Sequence, residues 1–249
     1  PVVVIAALSP TDCFDSAFWA SKLALEHMTP VVLLTDGYIA NGSSSWKIPK
    51  MSEYPDIKPN YVENYKGDKK WMPYLRNEET KARYWAFPGK AGYAHRVGGL
   101  EKDAVTGGIS SDGDNHQLMV ETRQAKIDLI ANYIPDLEVI GDEEADTIIV
   151  GWGGTFGHLL EAYRGIREQG HKVAFTQFKF ISPLPKNTEE VLSKYSRIIV
   201  AEQNLGQFAN YLDSKIKGLN IHKYNRITGQ PFLVWRLIEE FINIIEEEA

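Results

Sequence analysis

Short apolar strands alternate with helical stretches after residue 145, and this alternation is the strongest constraint on the fold. The predicted strands are rich in Val and Ile, whereas apolar residues recur every three or four positions between them. Alternation of this kind favours an α/β fold with a doubly wound parallel sheet. The predicted strands are Thr147–Val150, Lys172–Thr176, Arg197–Ala201 and Ile221–Tyr224. The predicted helices are Gly157–Gln169, Thr188–Tyr195, Gln207–Ile216 and Phe232–Ile245.

The N-terminal segment shows the same pattern once more. Val2–Ala7 is a continuous apolar run that predicts a buried strand, and Val31–Leu34 predicts a second one. Between them a helix is expected to begin at Ser9, which suits the cap, and Pro10, which suits the first helical position. The unit should be parallel and right-handed. It is too small to form a domain by itself.

The stretch from residue 36 to 111 shows neither period, although it is rich in proline and aromatic residues. A structureless loop of this length is uncommon in a domain, and its aromatic content argues against disorder. Two interpretations stay open: an ordered arm that crosses a neighbouring domain or chain, or irregular short strands that cover this chain's own core. A helix is then predicted over Asn115–Tyr133, with a capped start at Asp114 or Asn115 and an end at Pro135.

Charge and cysteine content exclude several classes of protein. The formal net charge of −6 argues against a dedicated nucleic-acid partner. Cys13 is the single cysteine, so the chain cannot form an internal disulfide, a four-cysteine zinc site or a cluster held by several of its own cysteines. A reduced, cytoplasmic location is expected. No apolar run approaches the roughly 20 residues that a membrane span needs, so no membrane partner is expected.

The turn Gly151–Gly157 follows a predicted strand and opens a predicted helix, so Gly153 and Thr155 are candidates for anion binding. A dinucleotide site would need a carboxylate at the end of the next strand, and Phe175–Phe178 contains none. The alternative is that the glycines only permit a tight turn and close helix packing.

The segment Ala201–Gln207 also joins a predicted strand to a predicted helix. Glu202 would stand at the carboxyl end of a parallel strand, where such sheets bind ligands, and Asn204 and Gln207 add amide groups. In the alternative interpretation Asn204 caps the helix and Glu202 pairs with Arg197.

Two further segments, His95–Glu101 and Asp112–His116, carry polar residues without a recognised spacing. His95 and His116 lack a third nearby ligand, so no metal site is predicted. The Gly-x-Ser-x-Gly, Gly-Lys-Ser/Thr and His-Glu-x-x-His motifs do not occur either.

The order of several segments resembles the C-terminal half of the alpha subunit of 2-oxoacid:ferredoxin oxidoreductases, and the 2-oxoglutarate type is the most similar. These segments are Gly151–Gly157, Pro183–Pro185, Glu202–Gln207 and Thr228–Phe232. Thr29–Asp36 looks like the last strand of that subunit's pyrimidine-binding domain. Arg96–Glu101 and Asn115–His116 are similar to its interdomain stretch, so Arg96, Glu101 and His116 become interface or interdomain candidates.

The resemblance implies CoA-dependent oxidative decarboxylation of a 2-oxoacid to an acyl-CoA, with thiamine diphosphate, iron–sulfur clusters and ferredoxin. It implies residues 1–45 as the tail of the pyrimidine-binding domain, 46–134 as a linking arm and helix, and 135–249 as a transketolase C-terminal-like domain. It also implies a beta subunit that carries thiamine diphosphate and clusters, a possible gamma domain and an oligomer.

The substrate-contacting Tyr-Pro-Ile-Thr-Pro-like segment and the cofactor-activating glutamate of this family are absent from the chain and would lie before Pro1. The chain is therefore expected to be a fragment that has no catalytic residue, binds no cofactor by itself and is inactive alone. Two alternatives remain open. The chain could be the C-terminal half of a transketolase or of a 2-oxoacid dehydrogenase beta-type chain, or a nucleotide-binding scaffold module.

Overall fold

A five-stranded sheet organises the second half of the chain in the computed structural model, which describes residues 1–67, 70–142 and 144–247. The strand order is β3-β5-β4-β7-β8. The four longer strands are parallel, whereas β3 at the edge is antiparallel to β5. The bounds are β3 Ile140–Gly141, β4 Thr147–Trp152, β5 Ala174–Phe178, β7 Arg197–Glu202 and β8 Ile221–Asn225. The predicted parallel sheet is confirmed, with an antiparallel edge that was not predicted.

Helices cover both faces of this sheet. Ile149 and Phe175 belong to one buried cluster together with residues of α4 and α7. Ile148 and Val150 belong to a second cluster with residues of α5 and α6. Neighbouring strand residues face opposite ways, so one apolar strand supplies both layers. The bounds are α4 Phe156–Glu168, α5 Thr188–Leu192, α6 Gln207–Lys215 and α7 Val234–Glu246. The predicted double winding is confirmed.

The chain divides into two units. Unit 1 contains residues 1–4, 17–32 and 47–134, and unit 2 contains residues 5–16, 33–46 and 135–249. The strands β1 (Val3–Ala6) and β2 (Val31–Leu34) cross these limits, and with β6 (Phe180–Ser182) they form a three-stranded sheet in the order β2-β1-β6. Helix α1 (Asp12–His27) begins after the predicted Ser9, whose Oγ accepts from the Asp12 backbone N–H at 3.2 Å.

The region without a period contains little regular structure, as predicted. It holds the short helix α2 (Gly37–Ala40), single 3-10 turns at Met51–Glu53 and Val62–Asn64, and isolated bridges. Within unit 1 this region covers α1 of the same chain. The Trp85 Nε1 donates to the carbonyl of Leu25 at 2.6 Å. This packing favours the interpretation in which the segment covers the chain's own core.

The remaining helix, α3 (Gly113–Leu129), continues as a 3-10 turn over Ile130–Tyr133. Its cap is Asp112, whose carboxylate accepts from the Asn115 N–H at 2.7 Å, so the predicted cap at Asp114 or Asn115 was wrong by two or three residues. Asp112 was missed because Asp112, Asp114 and Asn115 lie within four positions and all suit a cap. No helix in the described part of the chain is long and apolar enough to cross a membrane.

Candidate functional site

The carboxyl edge of the five-stranded sheet brings two of the predicted segments together. Strands β4 and β7 are neighbours and parallel, with Val150 opposite Val200. The turn that contains Gly153 therefore lies beside the loop that contains Glu202. The indole Nε1 of Trp152 donates to Glu202 Oε2 at 3.1 Å and joins them directly.

Glu202 is fully buried, and its carboxylate accepts four hydrogen bonds. Oε2 accepts from Trp152 Nε1, from Asn204 Nδ2 at 2.8 Å and from the Phe208 backbone N–H at 3.0 Å. Oε1 accepts from the Ala209 N–H at 2.9 Å. Two of these donors belong to the first turn of α6, where the helix dipole favours a negative charge. Glu202 therefore links β7 to the start of the next helix and does not open into a crevice.

Asn204 and Gln207 form the rest of this loop. Asn204 Oδ1 accepts from the N–H groups of Gly206 at 2.7 Å and Gln207 at 3.1 Å. Gly206 has φ +84, which glycine adopts without a steric cost. The Gln207 side chain is exposed. Asn204 thus accepts from the first N–H of α6, in the manner of the alternative interpretation, although Gly206 occupies the N-cap position. The partners of Glu202 are the donors above and not Arg197.

The turn after β4 is tied to its surroundings by internal hydrogen bonds. Thr155 Oγ1 donates to the Trp152 carbonyl at 2.9 Å, and Gln177 Nε2 donates to the Gly153 carbonyl at 3.0 Å. At Gly154 a Cβ atom would stand 1.9 Å from the Asp36 Oδ2 atom. A carboxylate of the chain itself therefore lies against this turn, where an external anion would have to approach.

A cavity of about 250 Å³ opens beside this turn within unit 2. Its polar lining residues include Asp36, His158 and Gln203. Burial lowers the pKa of His158, whose ring lies 5.5 Å from that of Tyr38. The predicted residues Gly153, Thr155, Glu202, Asn204 and Gln207 do not line this cavity, whereas the neighbours Gly154 and Gln203 do.

The predicted interdomain residues lie in unit 1, and the structure joins two of the three. Glu101 Oε2 lies 2.7 Å from His116 Nδ1, and Glu101 Oε1 accepts from Arg123 Nη1 at 3.2 Å. The hydrogen bonds from His116 and Arg123 lower the pKa of Glu101. Arg96 is exposed and does not line the pocket beside Glu101.

Besides Lys102, the neighbour of Glu101, four basic residues that were not predicted line the same pocket. They are Arg76, Arg83, Arg123 and Lys126. Arg123 and Lys126 stand three positions apart on a predicted helix, a spacing that places both on one face. Arg76 and Arg83 lie in the region without a period, so no pattern in the sequence could bring them to that helix.

Two family models match successive parts of the chain. The model described as pyruvate flavodoxin/ferredoxin oxidoreductase, thiamine diphosphate-binding, matches residues 1–110. The model described as pyruvate:ferredoxin oxidoreductase core domain II matches residues 145–234. The 2-oxoglutarate oxidoreductase subunit KorA of Mycobacterium tuberculosis is 43% identical over 236 residues, which are 94% of this chain and 35% of that relative. The chain belongs to the 2-oxoacid:ferredoxin oxidoreductases.

Other members of the 2-oxoacid:ferredoxin oxidoreductases support this assignment. Subunit alpha of 2-oxoacid:ferredoxin oxidoreductase 1 of Aeropyrum pernix is 30% identical over an alignment of 260 positions, which covers 98% of this chain and 39% of that relative. A solved 2-oxoglutarate:ferredoxin oxidoreductase from Magnetococcus marinus, with 2-oxoglutarate, coenzyme A and succinyl-CoA bound, superimposes with a TM-score of 0.86. That match has 25% identity and covers 99% of this chain and 42% of the other. The chain thus spans well under half the length of these relatives.

Each of the two family matches contains some of the predicted site residues of this 2-oxoacid:ferredoxin oxidoreductase chain. The first match contains Arg96 and Glu101, and the second contains the two loops at the carboxyl edge of the sheet. His116 and the basic residues of α3 lie between the two matched ranges.

Proposed function

We propose that this chain forms part of the alpha subunit of a 2-oxoglutarate:ferredoxin oxidoreductase. The complete enzyme would decarboxylate 2-oxoglutarate, transfer the acyl group to CoA as succinyl-CoA and pass the electrons to ferredoxin. The observation that carries this proposal is the superposition of 99% of the chain, with a TM-score of 0.86, on an enzyme solved with 2-oxoglutarate, coenzyme A and succinyl-CoA. The M. tuberculosis relative, whose name also specifies 2-oxoglutarate, supports the same substrate.

The residues of this chain do not themselves fit the redox cofactors of such an enzyme. An iron–sulfur cluster held by cysteines needs several thiolates, and Cys13 is the single cysteine. Thiamine diphosphate supplies the electron sink for decarboxylation when it is bound, and its diphosphate needs a metal and its ligands. Among the described residues, no group of three or more His, Cys, Asp or Glu side chains is placed to hold a metal ion. We therefore assign no catalytic residue to the chain.

In this proposal both cofactors are held elsewhere in the assembled enzyme, on a beta subunit and on a further gamma domain or subunit. Residues 1–45 then correspond to the tail of the pyrimidine-binding domain and 46–134 to the linking arm. Residues 135–249 correspond to a transketolase C-terminal-like domain. The names of the relatives, which specify a subunit alpha, support a partner subunit. A cytoplasmic location belongs to the same proposal.

Exposed apolar residues in unit 2 support a role in subunit contact. Leu205 is 73% exposed in the loop after β7, Ile227 is 58% exposed after β8, and Trp235 is 58% exposed in the first turn of α7. We take these exposed apolar side chains as part of an interaction surface. We assign the Glu202–Gln207 loop to the contact with the partner subunit. The buried hydrogen bonds of Glu202 would keep this loop rigid.

Two measurements test the proposed activity. The assembled oxidoreductase that contains this sequence is expected to reduce ferredoxin and form succinyl-CoA only when 2-oxoglutarate and CoA are both present. Pyruvate in place of 2-oxoglutarate serves as the substrate control. The purified chain, given the same substrates, thiamine diphosphate and an electron acceptor, is expected to show no turnover. Turnover by the chain alone would contradict the assignment of the cofactors to other subunits.

The subunit contact has a separate test. Leu205→Asp is expected to reduce co-purification with the partner subunit by at least tenfold, because a charge would be buried in an apolar contact. Leu118→Asp on α3, which replaces an apolar residue that is 50% exposed, is the matched control. Equal co-purification of the two variants would show that the loop does not contact the partner.

A further inference from the structure

A pocket of about 260 Å³ within unit 1 concentrates positive charge, and we name it the cationic pocket. Its lining includes three guanidinium groups and one ammonium group, none of which belongs to the two loops at the carboxyl edge of the sheet. They belong to Arg76, Arg83, Arg123 and Lys126. The Arg83 guanidinium lies 4.3 Å from the ring centre of Tyr74, which also lines the pocket.

The described lining residues do not neutralise these four cations. Glu101 is the one carboxylate among them, and it is shared between Arg123 and His116. Lys102 also lines the pocket, but its ammonium group donates to the carbonyls of Gly98, Gly99 and Leu100 and is held by its own loop. With Lys102 included, five cations stand against one carboxylate, which leaves an excess of four positive charges.

Arg76 is incompletely satisfied. Its Nη1 donates to the Lys81 carbonyl at 2.9 Å, whereas its buried Nε has no hydrogen-bond partner among the described residues. Burial and the neighbouring Arg83 and Arg123 lower the pKa of Arg76 to about 10. Burial and the same group of arginines lower the pKa of Lys126 to about 8. Buried cations with no counter-charge are costly and are uncommon unless a partner binds.

The backbone around the pocket is also unusual. Three non-glycine residues among those described have a positive φ: Met28 (+44), Lys81 (+54) and Leu100 (+68). The carbonyl of Met28 accepts from Lys126 at 2.9 Å, that of Lys81 accepts from Arg76, and that of Leu100 accepts from Lys102. Each left-handed residue thus orients a carbonyl toward a basic side chain of the pocket. Such strain costs about 1–3 kcal/mol per residue and clusters at ligand sites.

We propose that the cationic pocket binds a phosphate group of a small ligand, either a phosphomonoester or a diphosphate. A phosphomonoester carries about two negative charges on one group near pH 7, so it neutralises the excess better than a single carboxylate does. Guanidinium groups match phosphate oxygens with paired hydrogen bonds. A volume of about 260 Å³ exceeds the roughly 30 Å³ share of one water molecule several-fold, which leaves room for such a group.

The space next to the pocket suits the organic part of such a ligand. Met28 and Arg83 also line a second cavity of unit 1, of about 540 Å³. Trp85, Phe87 and Tyr93 contribute aromatic surface to that cavity. An ester whose phosphate lies in the cationic pocket could extend there. This proposal does not depend on the proposed function, because it concerns binding by residues of this chain alone.

Calorimetric titration of the 249-residue chain with inorganic phosphate and with inorganic diphosphate tests the proposal. The titrations are made at low ionic strength, with potassium chloride at matched ionic strength to account for screening. Arg76→Gln is expected to weaken binding at least tenfold, because it removes a fork of donors from the pocket. Arg164→Gln is the matched control, since Arg164 is an exposed arginine paired with Glu161 on α4. It should bind like the unchanged chain.

A second variant keeps the test valid if Arg76→Gln unfolds, which circular dichroism would show. Lys126→Met removes a half-buried cation, so the fold should be retained while phosphate binding falls at least tenfold. Titration with coenzyme A and with 3′-dephospho-coenzyme A distinguishes the phosphate sources. Weaker binding of the dephospho form assigns the pocket to a phosphomonoester, and equal binding assigns it to a diphosphate.

Three results would overturn the proposal. The first is the absence of phosphate and diphosphate binding at millimolar concentration. The second is unchanged binding by both Arg76→Gln and Lys126→Met. The third is tighter binding of a glutamate-rich peptide than of diphosphate, which would show that the pocket takes an acidic protein segment. Each of these would leave the turnover of the assembled oxidoreductase as a separate, unaffected test of the proposed function.

Discussion

The two units differ in how completely they satisfy charged side chains that are wholly or partly removed from water. In unit 2 the carboxylate of Glu202 accepts four hydrogen bonds, two of them from backbone N–H groups of α6. In unit 1 Arg76 and Lys126 are surrounded by further cations and each reaches a single backbone carbonyl. A charge that the chain satisfies completely stabilises the fold. A group of charges that the chain leaves in excess indicates that something else must complete the site.

The local architecture explains the difference. Unit 2 is built from parallel strands and helices, so a carboxylate at the end of a strand meets the free N–H groups of a helix start. The basic residues of unit 1 are held by α3 and by irregular segments whose carbonyls accept single hydrogen bonds. The irregular segments of unit 1 therefore bring several cations together at a place where no helix end compensates their charge.

The largest effect is expected when the fully hydrogen-bonded charge of Glu202 is removed. Glu202→Leu is expected to lower the free energy of unfolding by about 4 kcal/mol, because it leaves the N–H groups of Phe208, Ala209 and Trp152 buried without an acceptor. Chemical denaturation followed by circular dichroism measures this change. Glu239→Leu, on the exposed side of α7, should shift the value by less than about 0.5 kcal/mol. A loss below about 1 kcal/mol for Glu202→Leu would show that the network is not structural.

A buried imidazole in unit 1 is expected to make the stability of the chain depend on pH. His27 is 1% exposed, and its ring nitrogens have no hydrogen-bond partner among the described residues. Burial is the largest cause that lowers its pKa, to about 4. Below pH 6.5 the unfolded chain binds more protons than the folded chain, so stability is lost as the pH falls from 6.5 to 4.

At pH 5 this loss should reach about 2 kcal/mol relative to pH 7. Denaturation of the chain and of His27→Phe at the two pH values measures it. The variant should lack this part of the pH dependence, because it has no group to protonate at that position. Parallel pH profiles for the two proteins would show that His27 does not titrate in this way.

The third change removes an unsatisfied charge from the cationic pocket. Lys126→Met is expected to raise the free energy of unfolding by about 1 to 2 kcal/mol at pH 7, since the folded chain holds a cation whose pKa is lowered to about 8. The gain is smaller than the free energy that corresponds to the full pKa difference, because the hydrogen bond from Lys126 to the Met28 carbonyl is lost. Denaturation without phosphate measures the gain. A stability loss of similar size would mean that the surroundings already neutralise Lys126.

The smallest effect is expected at the turn after β4. Gly153 has φ +57, and a Cβ there would meet its nearest atom at 3.8 Å. Gly153→Ala should therefore cost about 1 kcal/mol from backbone strain alone. Gly157→Ala is the control, because a Cβ at Gly157 meets nothing within 4 Å and φ is not positive. Thermal denaturation of the two variants should separate them by a few degrees.

The sheet was predictable because its two central strands, β4 and β7, contain apolar runs and because strand-like and helix-like segments alternate along the chain. The predicted strand Arg197–Ala201 and the observed Arg197–Glu202 differ by one residue. Strands β3 and β6 have two and three residues, too few for a pattern to appear. The edge strand β3 is defined by its pairing with Ala174 and Phe175, which no local sequence signal can show.

The candidate sites were less predictable. Glu202 and Asn204 were found because polar residues at a strand end have a known meaning in parallel sheets, but their hydrogen bonds decide between ligand binding and helix capping. Arg76 and Arg83 were missed because they lie in an irregular segment. Only the tertiary structure brings that segment to α3, and no sequence pattern shows this. The carboxylate of Asp36 beside Gly154 depends on a contact between segments more than a hundred positions apart.

The way the chain alternates between the two units has a practical consequence. It passes from one unit to the other five times, at residues 4, 16, 32, 46 and 134. No single truncation can therefore yield unit 1 as an isolated expression product, and a protease nick before residue 134 interrupts a polypeptide on which both units depend. Segmental isotope labelling of residues 135–249 would mark unit 2 alone, whereas labelling of residues 1–134 would mark parts of both units. Selective labelling of single residue types offers a cleaner route to resonances of unit 1.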